Sequence, residues 1–497
     1  MTYGWVATQI KPAQTAAETP YESSNVQDTI DALLASIGYS NDHVIGLEAD
    51  FENSTFRRLG GAKNKSAGSD FNVFNMYGDR KLCNLADDGT ITAWYGDPNY
   101  TETGYTTIVD PNTQEESTIQ VQVMVRQPKF YYKVVPIKLE PITSTDPTQT
   151  GVHGYSGVKI NYYISDKPLP GFKLHPAFIN ANGDEVDCYY IGAYEACLYD
   201  VSESEYRLYD SWNVTYDSET EKYTVVKLNQ YLASTSDKLS SIAGVKPASG
   251  DYSTQFTRPN VNIMAKNRGT GWGSLNIKMV SAEQLLMVIE YGGFNSQTLV
   301  GKGIDSYADG KRNMAAFSGS TYILGNGSGS ATSTVRLRNN GTLDTYTSNG
   351  YLSVKYRGVE NLWGNILAYV DGINVYGNGT MGAGEAYICD DFNYEESKNT
   401  DNYKNVGFTI PYSDGSSYIK YFGYSDTHDW LFITSKMGGN SSIPVGDSLY
   451  TADNLDGYRI TIVGGRWASS LRVGAFYWDL EKVGSRYPST GARLVKV

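Results

Sequence analysis

Arg357-Gly-Val-Glu-Asn-Leu-Trp-Gly-Asn-Ile-Leu-Ala-Tyr-Val370 is the stretch on which the reading of the fold turns. Trp363, Gly364 and Asn365 at its centre suit a tight turn packed under an aromatic ring. Three further segments stand around it in fixed order. Tyr189-Tyr-Ile-Gly-Ala-Tyr-Glu195 comes first. A capped helix follows at 281–293, with Ser281 as cap, Gln284 completing a capping box and the pair Gly292-Gly293 as the stop. After the central stretch, Gly464-Gly-Arg-Trp467 leads to Ser489-Thr-Gly-Ala-Arg-Leu494. Gly464 and Gly465 allow backbone shapes that other residues resist, just before a tryptophan that belongs inside. Arg493 reads as a buried structural cation rather than a contact residue.

Composition agrees with a folded, β-rich, loop-rich chain. The 497 residues are too many for one ordinary core. Charged residues make up 19%, below the roughly 25% of an average chain, while Gly numbers 51 and Tyr 41. The surface is therefore expected to be Tyr, Ser, Asn, Thr and Gly. A net charge of -13 disfavours nucleic-acid or anionic-membrane binding. The amino terminus lacks a basic region followed by an apolar run, and no stretch reaches the ~18 apolar residues of a membrane span. Cys83, Cys188, Cys197 and Cys389 show no metal-site spacing. Cys188 and Cys197 lie close enough in sequence to pair, but buried free thiols are the commoner state in a chain made inside a cell.

Along the chain, residues 1–43 hold one helical signal. Ser24 can cap it, Gly38 can stop it, and Val26, Ile30, Leu33 and Ile37 form a narrow seam. The seam suits either self-association or packing inside one chain. Residues 44–150 read as strands with turn punctuation, for example Thr90 to Tyr95 and Ile119 to Val125. The polar break between Pro141 and Val152 is a domain edge or a long hairpin loop. Beyond it come many short strands, a weak second helix signal from about Ser236 to Ala243, and Gly/Ser loops such as 325–333. The expected fold class is α+β and β-rich, in three parts: stem 1–43, β-rich spacer 44–150, and a last domain 151–497.

The four ordered segments resemble the C-type-lectin-like fold shared by formylglycine-generating enzymes and by retroelement-diversified phage tropism proteins. The match covers roughly 150–497. The string GDRKLCNLADDGTITAWYGD at 78–97, with QPKFYYKV at 127–134 and GFKLHPAF at 171–178, resembles prophage tail proteins. The 24–38 helix is similar to helices frequent in phage tail fibres, which implies a trimeric stem. In the diversified proteins the closing stretch holds the exposed, ligand-contacting positions. Carried over by position, Ser469, Ser470, Arg472, Tyr477, Trp478, Asp479, Glu481 and Tyr487 are the candidate receptor contacts. From Arg459 to the end there are seven cations and two carboxylates, so this tip is expected to be locally positive. Rigid aromatics beside adaptable Ser and Arg are what paratopes use. About half of these aromatics are expected to be ordinary core, because strand residues alternate in and out.

Enzyme chemistry finds little support. The formylglycine-generating activity needs reactive cysteines in the closing region, and none follows Cys389; Ala368 also stands where those enzymes commonly carry Glu. His428-Asp429 beside Asp426 could bind a metal or act as an acid/base pair, although such loop residues are more often solvated. Gly269-Thr-Gly-Trp-Gly273 lacks the strand, helix and acidic residue of a dinucleotide fingerprint. No catalytic residue, cofactor or metal is expected, and no Asp/Asn cluster has calcium-site spacing. The resemblance implies a non-enzymatic phage tail or baseplate adhesin, made in the host cytoplasm and carried on the virion. It would be a homotrimer attached to other tail or baseplate proteins and would bind a protein or glycan receptor on the bacterial surface. The alternatives are a non-adhesive virion structural protein, such as a head fibre or baseplate spacer, and a surface-glycan hydrolase.

Overall fold

The computed structural model describes residues 43–109, 112–143, 151–207, 212–217, 222–227, 233–250, 255–306, 315–331, 334–339, 342–347, 352–378, 384–395, 402–412, 415–451, 456–480, 487 and 489–497. The expected stem helix at 24–38 lies outside them. The described chain is α+β and β-rich, with strands gathered into several sheets.

The largest sheet has fourteen strands. Its middle runs from the hairpin Tyr131–Thr143 and Val152–Ser165 through Gly415–Tyr424, Ser448–Thr451, Trp478–Asp479 and Asp456–Val463 to Leu367–Asn378. Val44–Asp50 joins at the side, antiparallel to Val152–Ser165, with Leu47 opposite Tyr162. A second sheet of six strands has the order Trp272–Ser274, Leu494–Lys496, Cys188–Gly192, Gln122–Pro128, Lys81–Leu85 and Ile91–Trp94.

The expected border at residue 150 does not divide this architecture. Tyr131–Thr143 and Val152–Ser165 are the two arms of one hairpin, paired from Tyr131 opposite Ser165 to Thr143 opposite Val152. The polar break in the sequence therefore falls between arms of a hairpin, not between domains. Gln122–Pro128 likewise pairs with Cys188–Gly192, so the proposed spacer supplies strands to sheets it shares with the rest. One hydrophobic cluster reaches from Ile45 to Val495. Burial of each strand's apolar face thus depends on strands from both sides of residue 150.

The helix Ile277–Tyr291 runs through that cluster, against Leu367–Asn378, Val44–Asp50 and Val152–Ser165. It begins four residues before the expected cap. Asn276 caps it, its Oδ1 accepting from the Met279 amide at 3.1 Å. Ser281 instead lies inside the helix, where its hydroxyl donates to the Trp430 carbonyl. The stop is as expected: Gly292 has φ 70°, and its amide donates to the Val288 carbonyl at 2.9 Å. All residues from Ile277 to Glu290 are buried, so no solvent-facing stripe marks its start. The weaker helix expected from Ser236 to Ala243 is not formed. Lys238–Ser240 is a strand, paired with Cys197 to Tyr199. The loop expected at 325–333 contains a short strand, Gly329–Ala331.

Candidate binding surface and the network beneath it

The four ordered segments meet in space. Glu195 is 3% exposed, and its Oε2 accepts from the side-chain amides of Asn361 at 3.1 Å and Asn365 at 2.6 Å. Its Oε1 accepts from the Ile366 amide at 3.3 Å. Arg493, also buried, donates to the carbonyls of Gly192, Glu360 and Asn361 at 2.8, 2.7 and 2.8 Å. The central helix enters through Glu283, which holds Arg80 at 2.8 Å and accepts from the Tyr189 hydroxyl at 2.7 Å. Every one of these buried polar groups has a partner, as burial requires. Burial pushes the Glu195 carboxyl up to about 8, against the opposing pull of Arg493 and the two asparagine amides. Burial also raises Glu360, whose oxygens accept from Gly319 and Thr321.

The turn at 363–365 anchors the closing loop. Trp363 is 1% exposed, and its indole N–H donates to the Gly301 carbonyl at 3.0 Å. Gly364, with φ 81°, donates its amide to the Gly464 carbonyl at 2.9 Å, and the Trp467 amide donates to the Asn365 carbonyl at 3.0 Å. A side chain at Gly364 would meet the Ile304 backbone at 2.7 Å, so only glycine fits. The loop is then closed on itself. Ser469 Oγ accepts from the Arg466 amide at 3.1 Å, Arg472 Nε donates to the Ser469 carbonyl at 3.0 Å, and the Ser470 amide donates to the Asp305 carbonyl at 2.7 Å. What remains outward is Ser470 and Leu471, the latter 50% exposed, with Arg466 and Arg472 half-buried beside them.

This placement corrects part of the expected contact set. Tyr477, Trp478 and Asp479 are buried, as is Ser469, whose oxygens serve the loop itself. Trp478–Asp479 is an inner strand of the large sheet, parallel to Ser448–Thr451 and antiparallel to Asp456–Val463. Trp478 donates its indole N–H to the Phe432 carbonyl at 3.3 Å, and Tyr477 packs into a core cluster with Val261 and Trp272. With strands on both sides and a covered face on each, these rings cannot alternate outward. Ser470 is exposed, Arg472 and Tyr487 are half-exposed, and Glu481 lies outside the described residues. Arg493, counted among the cations of the tip, is internal and adds nothing to its surface charge. Sequence reasoning missed Leu471, a lone apolar residue among Ser and Arg, and the supporting Asp305. Neither carries a signal apart from the fold.

The histidine loop is also rearranged. His428 is buried rather than solvated, with Nε2 at 3.1 Å from Asp390 and Nδ1 at 2.9 Å from the Thr427 hydroxyl. Asp429 turns away, accepting from the Tyr132 hydroxyl at 2.7 Å and Lys173 at 2.9 Å. His428 and Lys404 hold Asp390 down at about 2. His175 is packed among Phe130, Tyr132 and Trp430, and burial keeps its ring neutral, down to about 3. Among the described residues no group of three His, Cys, Asp or Glu side chains is placed to hold a metal ion. None of the four cysteines forms a disulfide, and burial pushes the Cys83 thiol up to about 12.

Compared with known proteins, the chain matches no family and no curated sequence.

Proposed function

We propose that this chain is a phage tail or baseplate adhesin, in which a C-type-lectin-like region presents the loop 466–473 to a receptor on the bacterial surface. The observation that carries this reading is the meeting of three of the four segments, separated by up to about three hundred residues, in the Glu195, Asn361, Asn365 and Arg493 network, with the helix joined to the first of them through Glu283 and Tyr189. That network is scaffold. It is fully bonded and closed to substrate, and it holds rigid the loop that the resemblance assigns to contact. A rigid loop with small polar, aliphatic and cationic groups binds with little ordering cost. On this reading Ser470, Leu471 and Arg472 lead the contact set, with Tyr487 beside them and Glu481 retained by position. Residues 1–43 supply attachment and trimerisation, and several copies per virion compensate for a weak single site.

The test is binding of the labelled full chain to a panel of intact bacteria, beside the triple variant Ser470→Ala, Leu471→Ala, Arg472→Ala. Selective binding that the variant loses, with an unchanged thermal midpoint, supports the adhesin. Equal binding by both proteins removes the loop from the reading. Absence of binding to any strain favours the assembly role of a virion structural protein.

A further inference from the structure

The two faces of the six-stranded sheet are told apart by what packs on them. Leu82, Val125, Ile191 and Val495 belong to the large cluster around the central helix. Cys83, Met124 and Leu494 belong to a second cluster, with Ala196, Leu198 and Val261. Residues two apart along a strand share a face, so Lys81, Arg126, Tyr190 and Lys496 stand on the second side. They also stand in one row. Lys81 is opposite Arg126, Arg126 opposite Tyr190, and Tyr190 opposite Lys496, with Trp272 next beyond Lys496. The second cluster stops short of this row. Cys83, Met124 and Leu494 are fully buried, whereas Arg126, Tyr190 and Lys496 are half-buried and Lys81 is exposed.

Two cations in this row face each other with no anion between them. Directly opposite residues on antiparallel strands hold their Cβ atoms about 5 Å apart, and like charges there destabilise the pairing. Neither the Lys81 nor the Arg126 side chain makes an ion pair or a hydrogen bond among the described residues. The acids nearby are engaged elsewhere. Asp187 is within electrostatic reach of Arg126, but Lys129 holds it at 2.8 Å and holds Glu185 at the same distance. Asp88 is within reach of Lys496, and its carboxylate accepts from the Thr90 amide at 2.8 Å. Lys496 is itself occupied, donating to the Thr270 carbonyl at 2.6 Å above the Trp272 ring. Lys81 and Arg126 are thus the unmatched charges of the row, and folding alone gives no reason to set them opposite each other.

Two adjacent unmatched charges fit one dianionic group better than a monoanion. A phosphomonoester carries about -1.5 to -2 at pH 7, and its oxygens can accept from the Arg126 fork and the Lys81 ammonium together. A carboxylate or a phosphodiester brings one charge only. A net charge of -13 also repels a long phosphodiester chain such as a nucleic acid. Next to the cations, the half-buried Tyr190 ring offers a floor for the organic part of an ester. We propose that Lys81 and Arg126 bind the phosphate of a phosphomonoester whose organic group lies on Tyr190. This site shares no residue with the loop 466–473 and stands whatever that loop binds.

The test is a titration of the full chain, followed by NMR at about 50 mM salt to limit screening, with phenyl phosphate, inorganic phosphate, benzoate and a 12-mer oligodeoxythymidylate as probes. Phenyl phosphate should bind with a dissociation constant in the millimolar range, and Lys81→Gln and Arg126→Gln should each weaken it about tenfold, as for loss of a charged hydrogen bond. Lys138→Gln, a surface cation on the large sheet, should leave it unchanged. Lys81 is exposed, so its variant keeps the fold and decides the matter if Arg126→Gln does not. Benzoate has the same ring and one charge, and should bind about tenfold more weakly. Phenyl phosphate that fails to bind, or that binds alike to wild type and Lys81→Gln, overturns the proposal. Inorganic phosphate binding as tightly as the ester, benzoate binding as tightly, or the oligonucleotide binding more tightly than phenyl phosphate would each overturn the monoester as the ligand.

Discussion

Replacing Glu195 by Gln tests whether the network under the closing loop is built around a buried neutral acid. Burial is the largest influence on this carboxyl and raises it to about 8, while Arg493 and the amides of Asn361 and Asn365 pull the other way. Glu360 also faces it and pushes upward. In the unfolded chain the group returns to about 4.5. Between those two values the native state binds a proton that the unfolded state has released, so stability must fall as pH rises and level off above about 8. The full shift corresponds to about 5 kcal/mol at 1.36 kcal/mol per unit, as an order of magnitude. Unfolding entropy for a chain of 497 residues is about 1 kcal/mol per kelvin. The expected effect is therefore about 5 °C in the thermal midpoint. Glu102 and Glu360 are raised by burial too, so the wild-type curve falls for several reasons. The difference between wild type and Glu195→Gln isolates this one group. Midpoints of both proteins at pH 5, 6, 7 and 8 should show wild type losing ground to the variant by several degrees. A constant difference, within about 1 °C at every pH, would refute the buried-acid account and leave Glu195 as a carboxylate satisfied by its three donors.

Three further outcomes follow from the same structure. Trp478→Ala should lower stability by about 3–5 kcal/mol because it empties an inner strand of the large sheet, whereas Ser470→Ala and Arg472→Ala should each stay within about 0.5 kcal/mol, read as thermal midpoints. Gly364→Ala should cost more than Gly457→Ala, since both sit at positive φ but only the first meets backbone, at 2.7 Å from Ile304; an excess of about 1–3 kcal/mol separates the clash from the backbone preference. Thiol titration of the native protein should find Cys188 reacting first and Cys83, Cys197 and Cys389 only on unfolding, because Cys188 alone among them is half-exposed.

The parts of the fold legible in the sequence are those where one residue type answers a local demand. Gly292 ends the central helix because a left-handed residue is needed there, and Gly364, Gly464 and Gly465 mark turns for the same reason. The start of that helix was not legible in the same way. Asn276 and Ser281 are both good caps by chemistry, and the choice between them is made by Trp430, whose carbonyl takes the Ser281 hydroxyl from a position 149 residues away. The supposed domain edge failed for a related reason. A polar run reads the same at a domain border as between the arms of a hairpin, and only the partner strands tell which it is.

The contact surface was harder to read than its scaffold, and the reason is physical. Scaffold residues such as Glu195, Asn365 and Arg493 are specific because a buried polar atom must find a partner, which restricts both residue type and spacing. A binding loop has no such constraint from its own chain. Tyr477 and Trp478 have the composition of a paratope, but the same rings satisfy a sheet interior equally well, and here the neighbouring strands claim them. Aromatic content near the end of the chain therefore measured burial, while the outward groups are Ser470, which was among the expected contacts, and Leu471, which was not.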